Sequence, residues 1–245
     1  MSRIASLRHS PWLASRVILV FLLGLVAMWF AMTEIVYQAK VSDIAPRITP
    51  PPAGTLPGVV RKIAWTAMRE TGDIRMRRLS LGWFPLQIVG PMWSGTRGSR
   101  KWQVAGSSIA SVAARNSLQP DSLSLRRTLH YQEEWLLATI WITRHWTVDQ
   151  ALMATVGKGW YGCGIHDLDT ASRTYLGRPA DSLSVSEAVV MMSILRNPGY
   201  SLQDSAHLAS QFARLQAEVV EAYPELASRM GPPPRLVPHV CPDPR

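Results

Sequence analysis

The stretch GKGWYGCGIHDLDTASRTYLGR, residues Gly157 to Arg178, carries the clearest structural pattern in the sequence. It begins with a turn rich in glycine and aromatic residues and continues as an amphipathic helix that closes on Tyr175 to Arg178. No strand pattern precedes the glycines, which argues against a dinucleotide-binding loop. The stretch therefore predicts a helix that follows a tight aromatic and glycine turn.

Helical spacing of apolar residues continues on both sides of this stretch. Two helix starts are marked by capping boxes, one formed by Thr147 and Gln150 and the other by Ser184 and Glu187. Strand-like alternation is scarce. The sequence therefore predicts a mainly α domain, with helices over VRKIAWTAMRE, SSIASVAARNSL, EEWLLATIWITRHW, TVDQALMATVG, DTASRTYLG, VSEAVVMMSILR and the run from Ser205 to Met230.

An apolar segment near the N-terminus predicts a membrane anchor. Val17 to Thr33 carries no charge, and the apolar character continues to Tyr37, which is long enough to span a bilayer. Only Glu34 lies close behind the segment, so the positive-inside rule places the N-terminus in the cytoplasm. A cleaved signal peptide is the alternative, but its apolar core is usually about 7–15 residues long. The preceding residues that set the orientation are Arg3, Arg8, His9 and Arg16.

These features divide the chain into consecutive parts. Residues 1–16 are predicted as a cytoplasmic N-terminus, 17–37 as the transmembrane anchor, 38–55 as a Pro-rich linker, 56–230 as the helical domain and 231–245 as a Pro-rich tail. Within the domain, the stretch 75–103 lacks sustained periodicity and is predicted to form a flap. Its large apolar residues either pack in the core or insert into the membrane interface. They are Trp83, Phe84, Met92 and Trp93.

The net charge of +9 favours anionic lipid head groups as partners, because the domain is predicted to lie beside a membrane. No zinc spacing, recognition-helix pattern or basic patch interleaved with aromatic residues supports nucleic-acid binding. Cys163 and Cys241 are too few for a disulfide framework. Pairing between them and two unpaired thiols are both open.

Trp146 to Arg178 resembles, without gaps, the central part of the family 51 glycosyltransferases, the peptidoglycan transglycosylases that polymerise lipid II. Tyr161 and Gly162 match the aromatic and glycine turn of that family, and Tyr175 to Arg178 match the end of its next helix. Arg196 to Pro198 keep most of a later turn. The resemblance implies a lysozyme-like helical glycosyltransferase domain, most similar to the short monofunctional enzymes.

Upstream, AGSSIASVAARN resembles the family's glycine-serine-threonine segment. Ser107, Ser108, Arg115 and Asn116 fit this segment, whereas its paired glutamines are replaced by serine and valine. The resemblance implies that these four residues bind substrate. It covers about Ala64 to Tyr200.

The resemblance also implies a carboxylate base, which removes a proton from the acceptor sugar's 4-hydroxyl while that oxygen attacks the anomeric carbon of the lipid-linked donor. Glu70 takes the position of this base. The family's accompanying aspartate, aromatic residue and histidine are replaced by Thr71, Ile74 and Arg77, and a following glycine is missing. A solvated helix residue is the alternative interpretation of Glu70.

A second acid, on the donor side, is implied at Glu134 if a one-residue slip is allowed, beside Glu133. A polar helix face is the alternative for both. The leaving pyrophosphate needs cations, because its charge develops in the transition state. Implied contacts to pyrophosphate and substrate, besides Arg115, are Arg126, Arg127, Lys158, Tyr161 and Gly162.

No cofactor is assigned, although a divalent cation such as Mg²⁺ would also neutralise a pyrophosphate leaving group. His166, Asp167 and Asp169 lie close together in the sequence, but spacing alone is weak evidence for a metal site. A helix start capped by one of the aspartates is the better interpretation. We therefore assign no metal ligand.

Three functions follow, in order of preference. The first is a single-pass enzyme of the bacterial inner membrane with a periplasmic domain, which transfers the disaccharide of lipid II to a growing glycan chain and releases polyprenyl pyrophosphate. The second is a scaffold that binds lipid II or recruits cell-wall synthesis proteins without turnover. The third is cleavage of existing glycan, because helical domains with paired carboxylates also cleave sugars. Lipid II and membrane lipids are the expected partners.

Overall fold

The computed structural model describes residues 11–70, 72–83, 105–118 and 125–238, and the described residues contain helices and no strand. The mainly α fold with a preceding apolar helix is thus confirmed. Trp83's side chain, Phe84, Met92 and Trp93 lie outside the description. The helices are α1 (Pro11–Ile44), α2 (Gly58–Ala67), α3 (Ser107–Ser117), α4 (Leu125–His145), α5 (Val148–Leu152), α6 (Leu168–Leu176), α7 (Val185–Arg196), α8 (Pro198–Gln203) and α9 (Ser205–Ala222).

Helix α1 has an exposed apolar part at one end and packs into the domain at the other. By length and composition it can cross a membrane, and its apolar window is fully exposed in the structure. Beyond that window, Tyr37, Val41 and Ile44 are buried in the domain core, at the spacing of one helix face. The helix therefore ends at Ile44 and not at Tyr37, and residues 38–44 of the predicted linker are helical. The domain boundaries themselves stay a prediction.

Helix α7 is the centre of the core. Nine of its residues, from Val185 to Ile194, are buried, because the helix is apolar on every face, which is typical of a helix surrounded by others. Helices α2 and α9 pack against it. The Ser184 and Glu187 capping box is confirmed at its start.

Helices α3 and α4 pack side by side, and α1 packs along α4. The Trp135 indole Nε1 donates to the Ser111 carbonyl at 2.8 Å, which fixes α3 against α4. The Thr155 hydroxyl donates to the Ile109 carbonyl at 3.2 Å, which fixes α3 against the π-helical turn Met153–Gly157. These contacts make α3 a rigid element.

The aromatic and glycine turn has the predicted form. It lies between the π-helical turn that follows α5 and the start of α6. In it, the Tyr161 amide donates to the Ile165 carbonyl at 2.8 Å. Gly162 has φ of 87°, and a Cβ there would lie 2.6 Å from Leu202. Only glycine meets both demands. The Thr147 and Gln150 capping box is confirmed.

The tail packs against the domain beyond its predicted start at residue 231. The Gly231 amide donates to the Ser186 hydroxyl at 2.8 Å, and the Val237 amide donates to the Tyr175 carbonyl at 2.8 Å. Cys163 is disulfide-bonded, and Cys241 lies outside the described residues. The described part of the tail, as far as Val237, therefore packs against the helical domain.

Candidate active site

The end of α2 sets the position of Glu70. The Glu70 amide donates to the Trp65 carbonyl at 3.1 Å, and the Arg69 amide donates to the Thr66 carbonyl at 2.8 Å. This pair of bonds is the Schellman motif, which ends a helix with one left-handed residue. Arg69 is that residue, with φ of 61°. The chain reverses there and directs Glu70 back into the domain.

Glu70 is buried, with only 3% of its surface exposed. Its carboxylate lies at the N-terminus of α3. Its Oε2 accepts the Gly106 amide and its Oε1 accepts the Ser108 amide, both at 2.8 Å. The first amides of a helix have no partner inside the helix, and a carboxylate both satisfies them and complements the helix dipole. The solvated helix residue considered for Glu70 is therefore wrong.

Burial raises the pKa of the Glu70 carboxyl above its ordinary value, and the hydrogen bonds from the Gly106, Ser108 and Ile109 amides oppose that shift. The desolvation effect is the larger one. A carboxylate with a raised pKa is a stronger base than an ordinary glutamate, which suits proton abstraction from a sugar hydroxyl near neutral pH.

Gly106 makes this arrangement possible. It has φ of 83°, a left-handed conformation, directly before α3. A Cβ there would collide with the Met76 side chain and lie 2.8 Å from the Met76 Cα. The segment containing Met76 is in turn held to α3, because the Arg77 amide donates to the Ala105 carbonyl at 2.9 Å. The close approach requires glycine.

A cleft of about 610 Å³ lies beside this helix start. Ser107, Ser108 and Ser111 form its α3 side. Glu70 does not line the cleft itself, but it accepts the amide of Ser108, which does. Apolar residues form most of its remaining wall. The other lining residues are Val36, Lys40, Leu79, Ser80, Leu81, Gln132, Glu133, Trp135, Leu136, Leu137, Thr139 and Ile140.

Helix α1, which supplies Val36 and Lys40 to the cleft wall, is held against α4 by ion pairs. Arg144 donates to both carboxylate oxygens of Glu34, at 2.6 and 2.9 Å, and its guanidinium lies 4.3 Å from the Tyr37 ring centroid. Further along, Lys40 pairs with Glu133. A bidentate pair with an added ring contact fixes orientation better than a single ion pair. The cleft wall is therefore continuous with the anchor.

The two glutamates of α4 point in different directions. Glu133 lines the cleft, whereas Glu134 pairs with Arg47 at 2.5 Å and with His130 at 3.5 Å. Adjacent residues of a helix lie about 100° apart around its axis, since the helix has about 3.6 residues per turn. Of the two, Glu133 lines the cleft, and Glu134, the residue predicted from the sequence, does not.

Among the remaining predicted site residues, those whose side chains the structure describes do not line the cleft with Ser107 and Ser108. Arg115 and Asn116 are exposed at the other end of α3, about 10 Å further along the helix axis. There the Asn116 side-chain Nδ2 donates to the Ala154 carbonyl at 3.2 Å. Lys158 is exposed near that end. The backbone of Arg126 and Arg127 begins α4, but their side chains lie outside the described residues.

Tyr161 and Gly162, predicted as substrate contacts, lie in the core. Tyr161 has no exposed surface, and its hydroxyl donates to the Val156 carbonyl at 2.8 Å. The Tyr175 hydroxyl donates to the Tyr161 carbonyl at 3.1 Å. These residues therefore stabilise the turn, and a direct substrate contact by either stays a prediction that this burial does not favour.

The residues of the described part of the chain do not form a metal site. No group of three or more His, Cys, Asp or Glu side chains among them could hold a metal ion. Asp167 caps α6 by accepting the Thr170 amide at 2.7 Å, as the helix-start interpretation predicts. Asp169 pairs with Arg173 at 2.8 Å. Both aspartates therefore stabilise α6.

Sequence reasoning missed Lys40, Glu133 and Trp135 at the cleft and Arg144 at the anchor. The spacing of Tyr37, Val41 and Ile44 was the available signal for the docked end of α1, because apolar residues four and three apart share one helix face.

Two comparisons bear on the family. A family model described as Transglycosylase matches residues 82–222, which is more than half of the chain and begins after Glu70. The biosynthetic peptidoglycan transglycosylase of Nitrosomonas europaea is 29% identical over 108 residues, which is 44% of this chain and 43% of that protein. The chain therefore matches less than half of the length of this relative. The residues matched by the family model include the turn at Tyr161 and Gly162.

Proposed function

Because the chain belongs to the transglycosylase family, we propose that it synthesises peptidoglycan glycan strands from lipid II with release of polyprenyl pyrophosphate. One observation carries the proposal: the buried carboxylate of Glu70 is held by the α3 amides beside a mostly apolar cleft. A positioned acid with a raised pKa beside a ligand-sized cleft is what sugar transfer by a general base needs.

In the proposed step, Glu70 accepts the proton of the acceptor 4-hydroxyl as its oxygen bonds to the anomeric carbon of the donor. The bond between that carbon and the pyrophosphate oxygen breaks, and the pyrophosphate leaves with the electron pair. The proton then passes from Glu70 to water. Ser107 and Ser108 supply hydroxyl groups at the cleft wall for the sugars, and the hydrogen bonds from Gly106 and Ser108 keep the carboxylate oriented.

The position of the cleft beside α1 favours a lipid-borne substrate. Val36 and Lys40, at the outer end of α1, line the cleft, so the cleft opens next to the predicted membrane surface. A substrate with a polyprenyl tail can then reach Glu70 while its tail stays in the bilayer, which raises its effective concentration. Since α1 is docked on α4, the distance from membrane to cleft is fixed.

Further features support a periplasmic domain on a single-pass anchor of the inner membrane. Cys163 is disulfide-bonded, and disulfides persist in oxidising compartments such as the bacterial periplasm. The basic residues before α1 favour a cytoplasmic N-terminus. Cell-wall synthesis proteins are the proposed neighbours in that compartment.

The ion pairs of the two α4 glutamates favour one alternative, a scaffold that binds lipid II without turnover. Glu134 is committed to Arg47 and His130, and Glu133 is paired with Lys40. Neither carboxylate is unpaired in the described structure, and an enzyme that had lost its donor-side acid would still bind its substrate.

The test is incubation of the full-length protein, purified in detergent, with lipid II, followed by gel separation of the products. Long glycan chains support the proposal. Retention of lipid II without product supports the scaffold. Release of soluble fragments from mature peptidoglycan, with no polymer from lipid II, would instead make the protein a glycan-cleaving enzyme.

A further inference from the structure

A second cavity, of about 600 Å³, lies at the junction of the anchor and the domain. We name it the interfacial notch, and it is lined by Glu34, Gln38, Arg78, Leu79, Ser80, Arg144 and His145. We propose that the interfacial notch binds the phosphate of an anionic phospholipid head group, with Arg78 as the principal contact. This inference rests on the proposed membrane anchoring of α1.

The length of the uncharged part of α1 indicates the depth of the notch relative to the membrane. Its uncharged part, Val17 to Thr33, is about 25 Å long at the usual helical rise, somewhat shorter than the hydrocarbon core of about 30 Å. Glu34 therefore lies at the outer edge of the hydrocarbon, and Gln38 lies one turn beyond it. A cavity lined by both residues opens at the depth of the lipid head groups.

The notch adjoins the cleft at Leu79 and Ser80, which line both, but the two cavities lie on different sides of α1. Val36 and Lys40 line the cleft, whereas Glu34 and Gln38 line the notch. On a helix, positions two apart point about 200° apart around the axis, so these pairs lie on nearly opposite sides of α1. A lipid in the notch thus need not occupy the substrate's place.

The notch has a net positive charge, because it contains two arginines and only one carboxylate. Arg144 and Glu34 neutralise each other through their bidentate pair. Arg78 is exposed and makes no ion pair within the described part of the chain. Arg75 and Arg77, also exposed, precede it. An arginine with no carboxylate partner, beside a membrane, favours an anionic phosphate ligand.

The backbone directly after Arg78 is held against α4. The Leu79 amide donates to the Thr143 hydroxyl at 3.1 Å, and the Arg144 Nε donates to the Leu79 carbonyl at 2.8 Å. The Ser80 hydroxyl oxygen accepts the Gly82 amide at 3.4 Å, which leaves its proton for a phosphate oxygen. Arg78 and Ser80 are thus presented on a fixed segment.

The measurement is a titration of full-length protein, delipidated in detergent, with dioleoyl phosphatidylglycerol or dioleoyl phosphatidylcholine, in which native mass spectrometry gives the Kd of the first bound lipid. We expect phosphatidylglycerol to bind more tightly, and Arg78→Gln to weaken it about tenfold, as for loss of one charge-assisted contact. The matched control is Arg75→Gln, which removes the same charge outside the notch and should change the Kd less than twofold. Arg78→Lys should retain part of the affinity.

Equal weakening by Arg78→Gln and Arg75→Gln would mean diffuse attraction to the basic segment and would overturn the proposal, as would no effect of either. Displacement of phosphatidylglycerol by polyprenyl pyrophosphate would assign the notch to the substrate instead and would also overturn it. The titration needs no turnover, so its outcome is independent of the polymerisation assay. Equal helix content by circular dichroism confirms that the variants are folded.

Discussion

Replacement of Gly106 by alanine tests whether the start of α3 is as tightly fitted as the geometry requires. The left-handed φ of 83° costs a residue with a Cβ about 1–2 kcal/mol. The new Cβ would also collide with Met76, including its backbone Cα at 2.8 Å, and overpacking of this kind costs about 1–3 kcal/mol. We therefore expect a loss of about 3 kcal/mol, which is roughly 6–12 °C in Tm for a domain of this size.

The matched control is Gly177→Ala. Gly177 also has a left-handed φ, of 69°, but nothing lies within 4 Å of a Cβ built there. It should therefore lose only the backbone contribution of about 1–2 kcal/mol. Thermal unfolding of the full-length proteins in detergent, followed by circular dichroism, measures both.

Polymerisation by Gly106→Ala should fall further than its stability explains, because the Gly106 amide holds Glu70. Equal loss of stability in Gly106→Ala and Gly177→Ala would refute the packing argument. Parent-like polymerisation by a destabilised Gly106→Ala would refute the link to Glu70.

Other perturbations test separate parts of the account. Arg69→Gly should stabilise the protein by about 0.5–1 kcal/mol, because glycine accepts the left-handed φ of 61°; a lower Tm would contradict this. Since burial raises the pKa of Glu70, its contribution to stability is present below the unfolded pKa and is lost as pH rises through the folded pKa. The parent should thus lose stability above the ordinary glutamate pKa of 4.5, and Glu70→Gln should lack this component in melts taken from acid to neutral pH. Arg144→Met should cost about 2 kcal/mol by leaving Glu34 without its ion pair. Arg173→Met breaks an exposed pair and should leave the Tm unchanged, because water and salt screen such pairs. Equal losses of Tm would contradict the docking of α1 on α4.

Local signals in the sequence were sufficient for the helices and their starts. Capping boxes at Thr147 and Ser184 depend on residues three apart, so they can be identified from the sequence alone. The aromatic and glycine turn was predicted correctly for the same reason. Its residues Tyr161 and Gly162, however, serve packing, which their pattern did not distinguish from substrate binding.

Contacts between distant parts of the chain were not predictable in the same way. The choice between Glu133 and Glu134 depends on the rotation of α4 against α1, which Arg144 and Glu34 fix across more than a hundred residues. The burial of Glu70 depends on Gly106 approaching Met76. A single sequence contains no local pattern for either arrangement, because both are set by tertiary packing.

The central claim is that Glu70 is the base of glycan-strand synthesis, and one paired measurement tests it most directly. Polymerisation rate and lipid II binding are measured for the full-length parent, Glu70→Gln and the control Glu225→Gln, which alters an exposed acid paired with Lys62. We expect Glu70→Gln to lower the rate about 10²–10⁴-fold with lipid II binding nearly unchanged, and Glu225→Gln to match the parent in both. A Glu70→Gln protein that polymerises lipid II at the parent rate would contradict the claim, and so would a parent that binds lipid II without forming any glycan chain.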